Sequence, residues 1–422
     1  MVDVRTWDWE PGERAVADVG AWDDRFEWVE ELHASPDGES VAAVVNKGDA
    51  QFSVCVNGEP WEGDYDRAWF LRYSPDGRLT ALVSESAEWT LCVDGQAWEN
   101  TFGYAWGTRF SEDGAVIACA VQQDGRYGWC VDDAPWDTLF EAATDFTLSR
   151  DGSAAAAAVQ VVTFGQADIY TFQAGGYTAA VNGRAWDERF VNIFHLDISA
   201  DGAHVAAEAR TSLYDYTIVV DGKAWNKSYP CVWKPLFHPG NGSVVAPVRT
   251  AGKWTMATEL GPIWPLFAQC WHALYSPDGA RLAAIVAPAF GRWTMAVDGQ
   301  PWATTFSTLV TDAVFGPGGE RLACLGKNDA VWKVAVDDRV WPGSYDMAWK
   351  PVFSADGAHV AAKVERGGRQ TVAVDGRELP QSFAQCWEPA FSPDGRHVLV
   401  RGVEDGAFLR RVVPVTDFRE RG

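Results

Sequence analysis

Residues 69–98 read WFLRYSPDGRLTALVSESAEWTLCVDGQAW, and this stretch holds two tight-turn signatures 18 residues apart, Ser74-Pro75-Asp76-Gly77 and Val93-Asp94-Gly95. Asp-Gly favours the positive φ of hairpin turns, so each signature joins two adjacent antiparallel strands. Around them the chain parses into four short strands. The first carries an aromatic pair, Trp69 and Tyr73. The second is rich in small and branched apolar residues. The third opens on Trp89-Thr90 and runs into the Val-Asp-Gly turn, and the fourth begins at Trp98 and ends on Phe102. Such a unit leaves no room for a helix.

The unit repeats. Full Ser-Pro-Asp-Gly copies stand at Ser35–Gly38, Ser74–Gly77, Ser276–Gly279 and Ser392–Gly395, and copies without the proline at Ser111–Gly114, Ser149–Gly152, Ser199–Gly202 and Ser354–Gly357. His238–Gly242 and Gly316–Gly319 are degenerate copies. Successive final glycines lie 39, 37, 38, 50, 40, 37, 40, 38 and 38 residues apart. The second signature continues to a tryptophan at Trp61, Trp98, Trp136, Trp186, Trp225, Trp264, Trp302 and Trp341, with Leu379 in that place once.

Near-continuous apolar strands need cover on both faces, which radial stacking of four-stranded sheets supplies. The expected fold is therefore all-β, a β-propeller of about ten four-stranded blades. The eight tryptophans are then packing residues between blades, each burying on the order of 150–250 Å². Ten blades exceed the usual four to eight, so two five-bladed rings are the competing arrangement; the unbroken period around residues 228–264 favours a single ring. Residues 1–13 read as an N-terminal tail and 14–422 as the propeller. Trp22–Ala34 is expected to supply a fourth and a first strand, with the ring closed by pairing of the two chain ends.

Composition narrows the function. The formal charge of −23 over 422 residues opposes nucleic-acid and anionic-membrane binding, and no apolar run is long enough to span a bilayer. MVDVRTWDWEPGER has neither a basic nor an apolar segment of a signal peptide, so the default compartment is the cytoplasm. Eight cysteines include no CxxC, and seven histidines include no HxH or HExxH, so no cofactor or metal is expected.

The Ser-Pro-Asp-Gly turns followed by Leu/Val-Ala-Ala strands resemble the WD40-like propeller repeat family over nearly the whole chain. The Val-Asp/Asn-Gly-x-x-Trp units, the acidic balance and the missing signal peptide are also similar to a narrower family, the tryptophan-rich cytoplasmic component of the transmembrane cytochrome (Tmc) complex of sulfate-reducing bacteria. That resemblance implies a non-catalytic accessory subunit, acting by protein–protein contact beside haem- and iron–sulfur-containing membrane subunits and held near the inner membrane through them. The alternatives are a stand-alone WD40-like interaction protein and a propeller enzyme.

Enzyme signatures fit poorly. Sialidase Asp-boxes separate Asp from Gly by one residue, whereas here the two are adjacent. No GxSxG nucleophile elbow and no DxDxDG loop occurs. The expectation is no catalytic residue. The one long interval, Gly152 to Gly202, places an apolar insertion between Val159 and Tyr177, in a loop on the face opposite the signature turns. Insertions in repeat arrays often mark the binding face, so Phe164, Ile169, Tyr170 and Phe172 are the expected partner contacts. An extended hairpin folded over its own blade or plugging the channel is the competing reading of this insertion.

Overall fold

A computed structural model describes residues 4–166 and 168–420. The first repeat shows the pattern: strand a, Trp28–Ala34; strand b, Val41–Asn46; strand c, Phe52–Val56; strand d, Glu59–Pro60. They pair antiparallel in the order a-b-c-d, and ten such sheets follow one another along the chain. First strands of neighbouring blades contact one another, which places strand a innermost around the axis.

Ten hydrophobic clusters occupy the ten interfaces between successive blades, including one joining blade 5 to blade 6 and one joining blade 10 to blade 1. The protein is thus a single ten-bladed ring; two five-bladed rings would have no core between blades 5 and 6. Strand b is covered on both faces, as in Val41 to Val45, each at 0% exposure. Full burial of a valine-sized side chain stabilises by about 1.5–3 kcal/mol, and this stretch repeats in every blade.

The ring closes on its own ends. Blade 10 takes strands a to c from the C-terminal repeat, and its outer strand is Gly12–Asp18, paired antiparallel with Ala407–Pro414. This corrects the reading of Trp22–Ala34 as the source of the fourth strand. Gly12 and Glu13 belong to the ring, and Trp22 ends a short 3-10 turn, 3% exposed between blades 10 and 1. Arg401, from strand b of blade 10, is buried and donates to the Ser35 and Pro36 carbonyls of blade 1 and to Glu388 O. Arg410 donates to Asp37 O at 2.9 Å and to Asp8 O. Gly38 has φ +74°, and a Cβ there would lie 3.0 Å from Arg401 Cγ.

Side chains of the two signatures lock their turns. In the first, the serine hydroxyl donates to the aspartate two residues on, as Ser276 to Asp278 at 2.6 Å. In the second, the aspartate accepts from the first residue of strand b, as Asp298 from Leu282 N at 2.9 Å. Each tryptophan of Gly-x-x-Trp packs into the interface with the next blade. Trp61, for example, lies against Gly95, where φ is +84° and a Cβ would meet the ring at 3.3 Å.

Two register details differ from expectation. Strand d occupies the two residues before the tryptophan, not the tryptophan onward; the chain then leaves the sheet and returns in a single bridge, as Phe102 to Trp89. In blade 6 the residue at the tryptophan register is Ile263, whose N–H donates to Met256 O as Trp61 N–H does to Val54 O. Trp264 sits one residue later and still packs between blades 6 and 7.

Candidate functional site

The insertion in blade 4 forms neither an extended hairpin nor an all-exposed patch. Residues Ile169–Ala174 form a short α-helix, opened by Asp168, whose carboxylate accepts from Thr171 N at 3.0 Å. Serving as N-cap satisfies one of the orphan donors of the first turn. Phe164 and Phe172 are half-buried and meet edge-on at 5.9 Å, and Phe164 also contacts Tyr177 of strand c at 5.8 Å. Ile169 is 50% exposed and Tyr170 82%. The four residues therefore divide, two gripping their own blade and two facing outward.

Tyr170 has company on this face. Tyr214, in the loop between strands b and c of blade 5, is 80% exposed, and Phe290, in the same loop of blade 7, is 100% exposed. On the opposite face, the c–d turn of blade 6 exposes Leu260. Three aromatic side chains thus stand exposed in equivalent loops of one face.

A second constellation lies in the channel. Strand a is bulged at one position in most blades, and the bulged residue takes a left-handed conformation: Glu31, Phe70, Gly107, Asp145, His195, His272 and Asp312, with φ between +48° and +64°. In blades 6, 9 and 10 the equivalent residues Lys234, Lys350 and Glu388 precede prolines, which disfavour the helical region, and strand a is broken there instead. The bulge frees backbone N–H groups, and carboxylates from the preceding blade take them. Glu31 accepts from Phe70 N at 3.1 Å and Leu71 N at 3.0 Å, and Asp145 accepts from His195 N at 3.1 Å. In the broken first strand of blade 6, Phe237 N donates to Asp197 at 2.9 Å.

Lysine cannot accept such a bond, and Lys234 lines the lumen. It lines two cavities that share His195: one of about 670 Å³ walled by Trp233, Leu236, Trp271 and Leu274, with His272, and one of about 310 Å³ with Arg109 and Asp145. A third, of about 690 Å³, continues toward the signature-turn face and carries Arg150 and Lys350. His195 Nδ1 lies 2.8 Å from Glu208 Oε2, a carboxylate only 6% exposed. This hydrogen bond raises the His195 pKa against the opposing effect of burial. Burial raises the Asp197 pKa, an effect that Lys234, 3.8 Å away, partly offsets. The indole N–H of Trp233 is buried and finds no acceptor among the described residues.

The eight repeat tryptophans stand away from this lumen, each in the cluster between its own blade and the next. Among the described residues, no group of three or more His, Cys, Asp or Glu side chains is placed to hold a metal ion. Cys119 and Cys130 are cross-strand neighbours with free thiols, and burial pushes the Cys130 pKa to about 12. Reading the repeat for what recurs misses the channel residues. Their signal is the position that fails to recur: after the first-strand aromatic or its equivalent, the chain reads Glu31, Phe70, Gly107, Asp145, His195, Lys234, His272, Asp312, Lys350 and Glu388.

No family model and no curated protein sequence matches the chain. Among solved structures, a eukaryotic initiation factor is similar at 11% identity over 92% of this chain and 94% of its own, with a TM-score of 0.47. The β-propeller domain of Myceliophteria thermophila Cps50 (Swd1) is similar at 15% identity over 65% and 97%, TM-score 0.31. A structure from a study of two prolyl endopeptidases is similar at 13% identity over 93% and 56%, TM-score 0.42. The assignment to a ten-bladed propeller rests on the sheets and clusters described above, not on these similarities.

Proposed function

We propose that the protein is a non-catalytic interaction scaffold whose protein partner docks on the b–c loop face over blades 4 to 7. The observation that carries this reading is the exposure of Tyr170, Tyr214 and Phe290 at 82%, 80% and 100%, all in loops between strands b and c. Aromatic side chains supply large contact area at low entropic cost and dominate the energetics of interfaces. Phe164 and Phe172 serve this reading from behind, by fixing the helix that carries Ile169 and Tyr170. The narrower reading is an accessory subunit of a Tmc-type electron-transfer complex on the cytoplasmic side of its membrane. It is supported by the tryptophan-ended repeat units and the acidic balance, and its partners are haem- and iron–sulfur-containing subunits.

One purification tests both levels. The tagged protein is isolated from its native cells and compared with a Tyr170→Ala, Tyr214→Ala, Phe290→Ala variant. The scaffold reading expects a stoichiometric partner whose recovery falls at least tenfold in the variant, with an unchanged melting temperature. Haem absorbance in the wild-type eluate supports the narrower reading; a stoichiometric partner without haem or iron–sulfur centres leaves a stand-alone interaction protein. Recovery unaffected by the triple variant rejects the loop face as the docking surface.

A further inference from the structure

The lumen holds cations most of which form no close ion pair of their own. Arg109, Arg150 and Lys350 line the channel from blades 3, 4 and 9, and none has a carboxylate within 4.0 Å among the described residues. Lys234 reaches only Asp197, at 3.8 Å. The carboxylates on the same walls are engaged: Asp145 and Asp197 accept backbone N–H groups of the next blade, and Glu112 has a partner of its own. These four cations share one confined space with three carboxylates, and Arg109, Arg150 and Lys350, which lack a close carboxylate, stay open to an anion. A cleft with low-dielectric walls focuses the field of the charges that line it and concentrates ligands of opposite sign.

The walls are as specific as the charges. The 670 Å³ cavity beside Lys234 is faced by Trp233, Leu236, Trp271 and Leu274, a volume and lining typical of small-molecule sites. Trp233 and Trp271 are each stacked on the first aromatic of strand c in their own blade, Trp254 at 5.3 Å and Trp293 at 4.7 Å. Inorganic phosphate would leave these surfaces in water. A neutral apolar molecule would leave Lys234 and Arg109 unanswered.

We propose that the channel binds a small organic anion, an aryl or alkyl carboxylate, with the carboxylate at Lys234 and Arg109 and the apolar body against Trp233 and Trp271. This site is separate from the loop-face docking surface, and its failure would not touch that reading. The test is isothermal titration of the full chain with 2-naphthoate, decanoate, 2-naphthylmethanol and sodium phosphate. At least one carboxylate is expected to bind tenfold or more tightly than both the alcohol and phosphate. In Lys234→Gln its affinity falls at least tenfold, while Lys253→Gln, exposed at the b–c hairpin of blade 6 and absent from the cavity walls, leaves it unchanged. Because Lys234 partly offsets the burial of Asp197, the melting temperature of Lys234→Gln is measured beside the titration, and an unchanged value assigns the loss to binding. Carboxylates that bind no better than the alcohol, phosphate that binds as tightly as either of them, or a K234Q titration equal to wild type each overturn the proposal.

Discussion

At the scale of single residues, one position per repeat carries the chemistry that the other positions lack. Two acidic residues at this position of strand a, Glu31 and Asp145, accept from the next blade's backbone, whereas Lys234 and Lys350 have no acceptor to offer. His195 illustrates how such a residue is tuned. Its Nδ1 pairs with the buried Glu208 carboxylate, and its pKa is raised above the ordinary histidine value of about 6.5. A folded-state pKa above the unfolded one gives stabilisation that is complete below about pH 6.5 and is lost as pH climbs through the folded value. The melting temperature of His195→Gln should therefore fall furthest below wild type near pH 6, with the gap narrowing toward pH 9. Thermal scans across that range check the sign; a gap that widens with pH contradicts it.

At the scale of the strand, the hydroxyl residue that opens strand c has a task the repeat alone does not reveal. Thr90, Thr178, Thr217 and Thr294 each donate to the carbonyl ten residues on, where strand d has left the sheet and its backbone lacks a ladder partner. Ser53 does so in blade 1, and Lys333 Nζ replaces the hydroxyl in blade 8. Thr217→Val keeps the shape and removes the donor to Lys227 O, so it should cost about 1 kcal/mol in denaturant unfolding. Thr258→Val is the comparison, because Thr258 ends strand c of blade 6 and its hydroxyl accepts only the exposed Leu260 N–H at 3.3 Å. Equal effects of the two substitutions would show that the carbonyl finds water instead.

At the scale of the whole molecule, closure is the structural commitment. Strand Gly12–Asp18 pairs with Ala407–Pro414 through six registered residue pairs and covers what would otherwise be an open sheet edge. Removing residues 1–18 should lower stability by about 3–6 kcal/mol, counting roughly 0.5–1 kcal/mol for each lost backbone bond. It should also make the ring self-associate through its exposed edge. A synthetic peptide of residues 8–19 added in trans should restore the monomer in sedimentation velocity. A truncated chain as stable and as monomeric as the parent would mean that interblade packing alone holds the circle.

The repeat period, the two hairpin signatures and the doubly apolar second strand are legible in the chain because they are local or periodic. Positive-φ turns and burial on two faces are demands that each unit states in its own residues, and ten copies state them in unison. The helix at Ile169–Ala174 is not legible, since six residues lie below the length at which periodicity separates helix from hairpin. The count of rings, the strand that closes blade 10 and the cations of the lumen are settled only by tertiary structure. Each depends on residues far apart in the chain meeting around an axis, as Arg401 meets Ser35, and no local pattern encodes which blade a repeat's exposed face will find.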